Sequence, residues 1–300
     1  EKTLEAYNDV FADIVNVLIF NGKRTVKEKD LEDETPRSCI KIDGKLHEQE
    51  RDVAKFWNNN SVRIALFGVE NQTRHDPDMP LRVISYDGAA YRKQLLENRR
   101  FRRYPVVTLV LYFGKSRWKK NRSLLERVNV DERLKPYVND YRLNLFQISY
   151  LSEEQVNCFK GDFRIIADFF VQKRTNKDYN PPKYVIKHVE EVLQLLRVVS
   201  GDNRFDLEYL FSRPIKKGEK ITMCKIMDAA INKGVKIGIE KGEKRGEKRG
   251  EKKGELGLLS RLIEKGRLTL QQAAEEVGMT PEKLELALKK LNNNSKKVAT

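Results

Sequence analysis

"VRIALFGVENQT", Val62 to Thr73, is the stretch on which the reading of this chain turns. Ile64 to Val69 is apolar or glycine, short and suited to a pleated, buried surface, which predicts a strand. The strand ends on Glu70 and Gln72. Positions i and i+2 of a strand project to one face, so an acid and an amide share a side where the strand reaches solvent. Upstream, "DVAKFW", Asp52 to Trp57, reads as a second strand, and Asn58-Asn59-Asn60 supplies the turn between them. Asp52 lies six residues before that turn and Glu70 ten after it. The two carboxylates therefore meet only across a stagger or bulge. Two carboxylates at a sheet edge make a hard-oxygen set of the kind that holds Mg2+, with waters and a substrate phosphate completing its shell.

Working outward, residues 3–20 place Leu4, Tyr7, Val10, Phe11, Ile14, Val15 and Leu18 at helical spacing, and Asn21-Gly22 stops that helix. Residues 22–50 are polar and mixed, and are expected to be loops and short pieces. After the site, Pro80 suits the first turn of a helix whose expected apolar face is Leu81, Ile84, Tyr91 and Leu95. "YPVVTLVLYFG", 104–114, reads as the strongest strand, "NLFQISYL", 144–151, as another, and 153–172 and 184–199 as helices.

The texture changes after Gly201. Glycines recur at 234, 238, 242, 246, 250 and 254 with charges between them. On a helix, Glu243, Glu247 and Glu251 would stack as like charges at i,i+4, while Lys244–Glu247 and Lys248–Glu251 offset them at i,i+3. Each interior glycine costs about 1 kcal/mol relative to alanine. The segment is either a glycine-faced helix that needs a partner or a flexible linker. Beyond it, Thr269 and Gln272 form a capping box, Gly278 is a stop, and Thr280-Pro281 starts a second helix. The division expected is residues 1–200 as the main domain, 201–257 as the charged repeat and 258–292 as a small helix-turn-helix-like unit. That unit either contacts DNA or simply packs two helices.

The chain has 300 residues, 59 Lys and Arg against 44 Asp and Glu, and a formal charge of +15. Such a balance fits a polyanionic partner, because cations gain by releasing counterions from phosphate, or a merely solvated surface. Cys39, Cys158 and Cys224 are far apart with no CxxC, which argues against a disulfide framework or a zinc site. His47, His75 and His188 lack metal-ligand spacing. No apolar run is long enough to span a membrane, and the first residues show no signal-peptide pattern. A cytoplasmic location is expected.

The spacing D-x17-E-x-Q at the end of a hydrophobic strand resembles the PD-(D/E)XK nucleases, with Gln72 in the place of the usual lysine. "NDVFADIVN", "RIALFGVENQT", "DMPLRVISYDGAAYR" and "YPVVTLVLYFGKSRW" resemble the Rpn family of recombination-promoting nucleases, whose members also carry the name transposase. The resemblance covers roughly residues 5–195. It implies an α/β fold with a restriction-endonuclease-like core, a mixed sheet flanked by helices, and a helical C-terminal extension. It also implies DNA as partner, Mg2+ or another divalent cation as cofactor, and phosphodiester cleavage. Glu70 and Gln72 match the E-x-Q motif, and Asp52 matches the upstream acid. Asp43 in "KIDGK" is a rival, though Asp-Gly is more simply a turn. Asp52 and Glu70 are then the metal ligands, and Gln72 orients the attacking water or a phosphate oxygen. Asp9 and Asp13 share a face of the first helix, and an acid there can assist in the superfamily, though surface solvation or capping is the simpler role for each. Arg82, at the start of the next helix, could touch a phosphate or form a salt bridge.

Three functional readings follow. The first is a metal-dependent DNA endonuclease, a dimer if it cuts both strands. The second is a DNA-binding or assembly protein on a degraded nuclease core, since glutamine removes a positive charge from the site. The third is a three-carboxylate transposase, for which no third acid stands out.

Overall fold

β5, Val62–Gln72, lies at the centre of a five-stranded sheet in the computed structural model, which describes residues 3–34, 37–42, 45–59, 62–97, 102–175, 179–206 and 220–296. With β1 (Leu31–Asp33), β2 (Arg37–Ile42), β3 (Lys45–Glu50), β4 (Val53–Asn59), β6 (Val106–Tyr112) and β7 (Asn144–Gln147), the sheet order is β1-β4-β5-β6-β7. β1, β4 and β5 run antiparallel, and β5, β6 and β7 parallel, so the sheet is mixed. β2 and β3 pair only with each other. Residues 22–50, expected to be loops and short pieces, thus hold a hairpin of two six-residue strands, because polar strands need no core-facing alternation when they lie outside the main sheet.

Helices cover both faces, as in a restriction-endonuclease-like core. One face carries Val53, Ala65, Phe67, Val69, Leu109 and Leu111 in the main apolar cluster. It packs against α1 (Asn8–Leu18), α5 (Phe163–Arg174) and α6 (Val189–Ser200), the helices α3 (Leu124–Arg127) and α4 (Glu153–Cys158) being short. α1 supplies Val10, Phe11, Ile14 and Val15, as its spacing predicts. It stops where Asn21 and Gly22 both adopt positive φ, 52° and 82°. Lys55, the residue that makes "AKFW" look mixed, is fully buried on this face, where its Nζ donates to Asn8 Oδ1 at 2.7 Å and to Asp33.

The other face is covered by α2 (Met79–Leu96). Here the sequence misleads. Leu81, Tyr91 and Leu95 are exposed, and the buried ridge is Met79, Val83, Tyr86, Asp87 and Gln94. The reason is the surface beneath the helix. Gly68, Glu70 and Thr108 are polar or lack a side chain, so the helix meets them with groups that hydrogen-bond. Gln94 accepts from Tyr104 N at 3.0 Å and donates to Tyr104 O at 3.1 Å. The expected 153–172 helix is broken into α4 and α5, because Asp13 Oδ2 draws in the backbone N–H groups of Lys160 and Gly161 at 2.8 and 2.7 Å.

The chain divides into two compact units, Glu1–Ala230 and Ile231–Thr300. A helix from Met223 to Glu264 starts in the first, where Met223, Ile226 and Ala230 are buried, and carries the glycine repeat. In the second, Leu256 and Leu259 pack with Ala273, Ala274 and Leu284. Thr269 and Gln272 complete a capping box for the helix Leu270–Glu276. Gly278 then turns the chain at φ 61° into the helix Pro281–Lys296. Among the described residues no helix is long and apolar enough to cross a membrane.

A methyl group at Gly242, Gly246 or Gly250 would meet nothing within 4 Å. Alanine at all three is expected to raise helicity and stabilise this helix by about 1 kcal/mol per site. Far-UV circular dichroism on heating checks this. A loss of helicity would mean that the glycine ridge is covered in solution.

Candidate active site

The β4–β5 register runs to Val53 opposite Val69, and Asp52, the next residue back, lies in the bend before β4, close enough to Glu70 for the two charges to interact. The extra residue that this requires is Ile64, where the register shifts between Trp57 and Asn58. A local hairpin thus brings the two acids to the same end of the sheet. Asp52, exposed in the bend before β4, accepts from the backbone N–H of Asn71 at 2.6 Å. Gln72 follows on the face of Glu70, half-buried, with its carbonyl accepting from Phe113 N at 2.8 Å.

Glu70 is only 2% exposed. Burial, reinforced by the charge of Asp52, pushes its carboxyl up to about 7, against the opposing pull of Arg82, a hydrogen bond with Tyr86, and Arg51. Arg82 Nη2 stands 3.7 Å from Glu70 Oε2, while its guanidinium also donates to Asp76 at 3.0 Å and to the Tyr86 hydroxyl at 3.2 Å. Of the two roles open to Arg82, the salt bridge is the one seen. Glu70 Oε1 is buried with no hydrogen-bond partner.

Behind the acids lies a buried charged network. Arg51 Nη2 donates to Asp87 Oδ1 at 2.6 Å, and Asp87 also accepts from Thr108 Oγ1 at 2.6 Å and from the Tyr141 hydroxyl. Gly68 makes room for it. A Cβ there would lie 2.8 Å from Arg51 Cδ and 3.2 Å from Thr108 Oγ1. The chain holds Asp52 in place through the neighbouring, anchored Arg51.

A third acid enters from a distance. Glu5, in the 3-10 turn Leu4–Ala6, is fully buried, and its Oε1 accepts from Asn71 Nδ2 at 3.0 Å. Burial raises its carboxyl to about 7, hydrogen bonds from its own backbone and Asn71 oppose this, and the charge of Asp52 adds to it. Its Oε2 and Asn71 Oδ1 are buried without partners. A cavity of about 580 Å³ opens here, lined by Glu5, Asp52, Asn71, Thr73, Leu195 and Val199 among others. Nothing in "TLEAYN" singled out Glu5, which looks like any acid in a helical first turn.

The acids expected on the first helix are engaged elsewhere. Asp9 accepts from Lys187 Nζ at 2.6 Å and from the His188 ring at 3.2 Å, and Asp13 caps the 160–161 turn. Their shared helix face points to partners that sequence spacing does not reveal. Asp43 lies outside the described residues.

The donor set suits a hard divalent cation. Its groups are carboxylate oxygens, and two buried ones lack hydrogens to accept, a deficit that a cation would remove. Among the described residues no three His, Cys, Asp or Glu side chains are grouped to hold a metal ion, and Glu5 is close enough to feel the charge of Asp52.

A family model described as "Putative transposase, YhgA-like" matches residues 27–199, a span that includes Asp52, Glu70 and Gln72 and leaves out Glu5 and the C-terminal unit. No curated protein and no solved structure matches the chain. The fold and this match together identify the chain as a member of the YhgA-like transposase family, the Rpn/YhgA group of PD-(D/E)XK-like proteins associated with mobile elements.

Proposed function

We propose that the protein is a divalent-cation-dependent DNA endonuclease with Asp52, Glu70 and Gln72 as its catalytic residues. The observation that carries this reading is the meeting of Asp52 and Glu70 at one end of the β4–β5 hairpin, near enough for their charges to interact, with a buried Glu70 oxygen that has no hydrogen-bond partner. Mg2+ held there would lower the pKa of a bound water and offset charge on the scissile phosphate. Asp52 would be the exposed ligand, and Glu70 the buried one that must give up its proton first. Gln72, one strand period further on the same face, can donate to a phosphate oxygen or accept from the attacking water, but brings no charge. Arg82 supplies the cation nearest Glu70 and balances its carboxylate before a metal enters. The +15 charge favours a polyanionic backbone. Two sites, hence a dimer, would suit cleavage of both strands, and the cytoplasm is the natural compartment for that substrate.

The Gln72 substitution and the Arg82–Glu70 contact also favour a second reading, a DNA-binding protein whose core no longer cleaves. Plasmid nicking separates the two. Mg2+-dependent nicking, blocked by EDTA and by Asp52→Asn, is expected from the nuclease. Glu5→Gln is expected to slow it by about 10–100-fold, the usual cost of losing a group that supports a metal ligand. DNA binding without nicking at any divalent ion would establish the second reading instead.

A further inference from the structure

Beside the cavity that holds Asp52 lies a smaller one of about 130 Å³, and Thr73 and Val199 line both. Its wall differs in charge. Lys115, Lys173 and Arg174 project around it, and among its described lining residues there is no Asp or Glu. These cations come from separate elements. Lys115 follows the C-terminal end of β6, while Lys173 and Arg174 close α5. Arg117 adds a fourth. Its guanidinium carbon lies 4.3 Å from the centre of the Tyr150 ring, that of Arg174 lies 4.8 Å from the same ring, and the Tyr150 hydroxyl donates to Lys115 O at 2.6 Å. Arg174 is further fixed by its Nε donating to Ser149 O at 2.7 Å.

A helix C-terminus attracts cations, which accounts for Lys173 and Arg174 but not for Lys115 and Arg117 on another element. Nor does it account for their crowding. Burial pushes the Lys173 ammonium down, and Lys115 and Arg204 repel it further, with only Asp202 opposing. Asp202 is itself bound by Arg204, through contacts of 2.8 to 3.1 Å. Positive charges gathered on one wall lower their mutual repulsion when an anion sits between them. Guanidiniums held over one tyrosine ring keep their remaining N–H groups available, and a guanidinium suits phosphate oxygens.

The location fits a polyanion threaded through the candidate site. Asp52 and Thr73 line the larger cavity and Thr73 also the smaller, just past the C-terminal end of β5 that carries Glu70 and Gln72 on its other face, and β6 and β7 end beside it, the edge where ligands gather in parallel sheets. Glu70 to Thr73 is three strand residues, about 10 Å. That is about three axial steps along one strand of a duplex.

We propose that Lys115, Lys173, Arg174 and the Tyr150-stacked Arg117 form a phosphate-binding track that receives the DNA backbone as it leaves the Asp52–Glu70 site. The proposal rests on the endonuclease reading for its substrate, but it concerns binding and not chemistry. The track residues are positioning residues. They hold the strand and touch no reacting atom.

The test is binding of a fluorescein-labelled DNA duplex to the full chain, read by anisotropy in EDTA across a series of NaCl concentrations. Each phosphate contact contributes about 0.9 to the slope of log Kobs against log salt. Lys115→Gln is expected to reduce the slope by about 1, and the Lys115→Gln/Lys173→Gln pair by about 2. A control pair, Lys23→Gln/Lys29→Gln, exposed and remote in sequence from the cavity, should leave it unchanged. Thermal melts of each variant verify folding. An unchanged slope in the track variants, an equal loss in the control pair, or no binding by the parent chain overturns the proposal. The nuclease reading is scored separately by nicking with Mg2+. A parent that binds with a track-dependent slope yet never nicks keeps the track and loses the nuclease. One that nicks with a track-independent slope does the reverse.

Discussion

Glu70→Gln is expected to abolish Mg2+-dependent cleavage and, in the same protein, to increase stability at pH 8. The first effect follows from removing one of two carboxylates that would hold the cation. A loss of about a thousandfold or more corresponds to about 4 kcal/mol of transition-state stabilisation. The second follows from burial. The folded carboxyl titrates near 7 against 4.5 for the free side chain, so the folded state binds the proton more tightly than the unfolded state. Stability is therefore highest below about 4.5, falls as pH rises through 7, and is level above. At 1.36 kcal/mol per pKa unit the fall from this group is on the order of 3 kcal/mol. Glutamine does not titrate, so Glu70→Gln escapes that loss. Glu5, raised in the same way, keeps part of the pH dependence in the variant. Metal binding needs the deprotonated form, so Mg2+ should raise the melting temperature of the parent at pH 8 more than at pH 5, and leave Glu70→Gln nearly unmoved. Plasmid nicking checks the first effect, and melting curves at both pH values, with Mg2+ or EDTA, check the rest. A variant less stable than its parent at pH 8 would show that the Glu70 carboxylate is well compensated in the folded state, and the argument from its burial would collapse.

Asp87→Ala is expected to be the most damaging single change outside the acids. Asp87 is the common acceptor for Arg51, Thr108 and Tyr141. Its removal leaves the guanidinium of Arg51, 5% exposed, without its counter-charge. Breaking a buried pair from one side costs about 3–5 kcal/mol, because the remaining charge stays desolvated. Arg51 directly precedes Asp52, so cleavage by the folded fraction should fall as well. Asp87→Asn keeps an acceptor and should recover part of the stability. Urea unfolding of the three proteins gives the comparison. A loss under about 1 kcal/mol for Asp87→Ala would mean that water or another group satisfies Arg51, and that the network does not hold the hairpin end.

Local pattern settled much of this molecule. β5 and β6 are long apolar runs, and a strand has few alternatives when its residues are β-branched or aromatic and its ends are punctuated. The period of two put Glu70 and Gln72 on one face, and the hairpin put Asp52 at the same end. The stagger between them needed one bulged residue, Ile64, within the reach of local geometry. α1 was legible for the same reason, since its apolar stripe and its Asn21-Gly22 stop are properties of neighbouring residues.

The tertiary structure decided the rest. Glu5 reaches Asn71 across 66 positions, and no local period announces such a contact. Asp9 and Asp13 share a helix face, yet their partners come from residues 187–188 and 160–161. α2 turned a mixed ridge inward: Met79 and Val83 pack with Val110 and Tyr112, while Tyr86 and Asp87 bring hydrogen-bonding groups over Gly68, Glu70 and Thr108. Hydrophobic spacing reports which face of an element avoids water. Whether a carboxylate or guanidinium can be buried depends on partners that arrive from remote segments. In this protein those partners surround the candidate site, and folding alone brings them together.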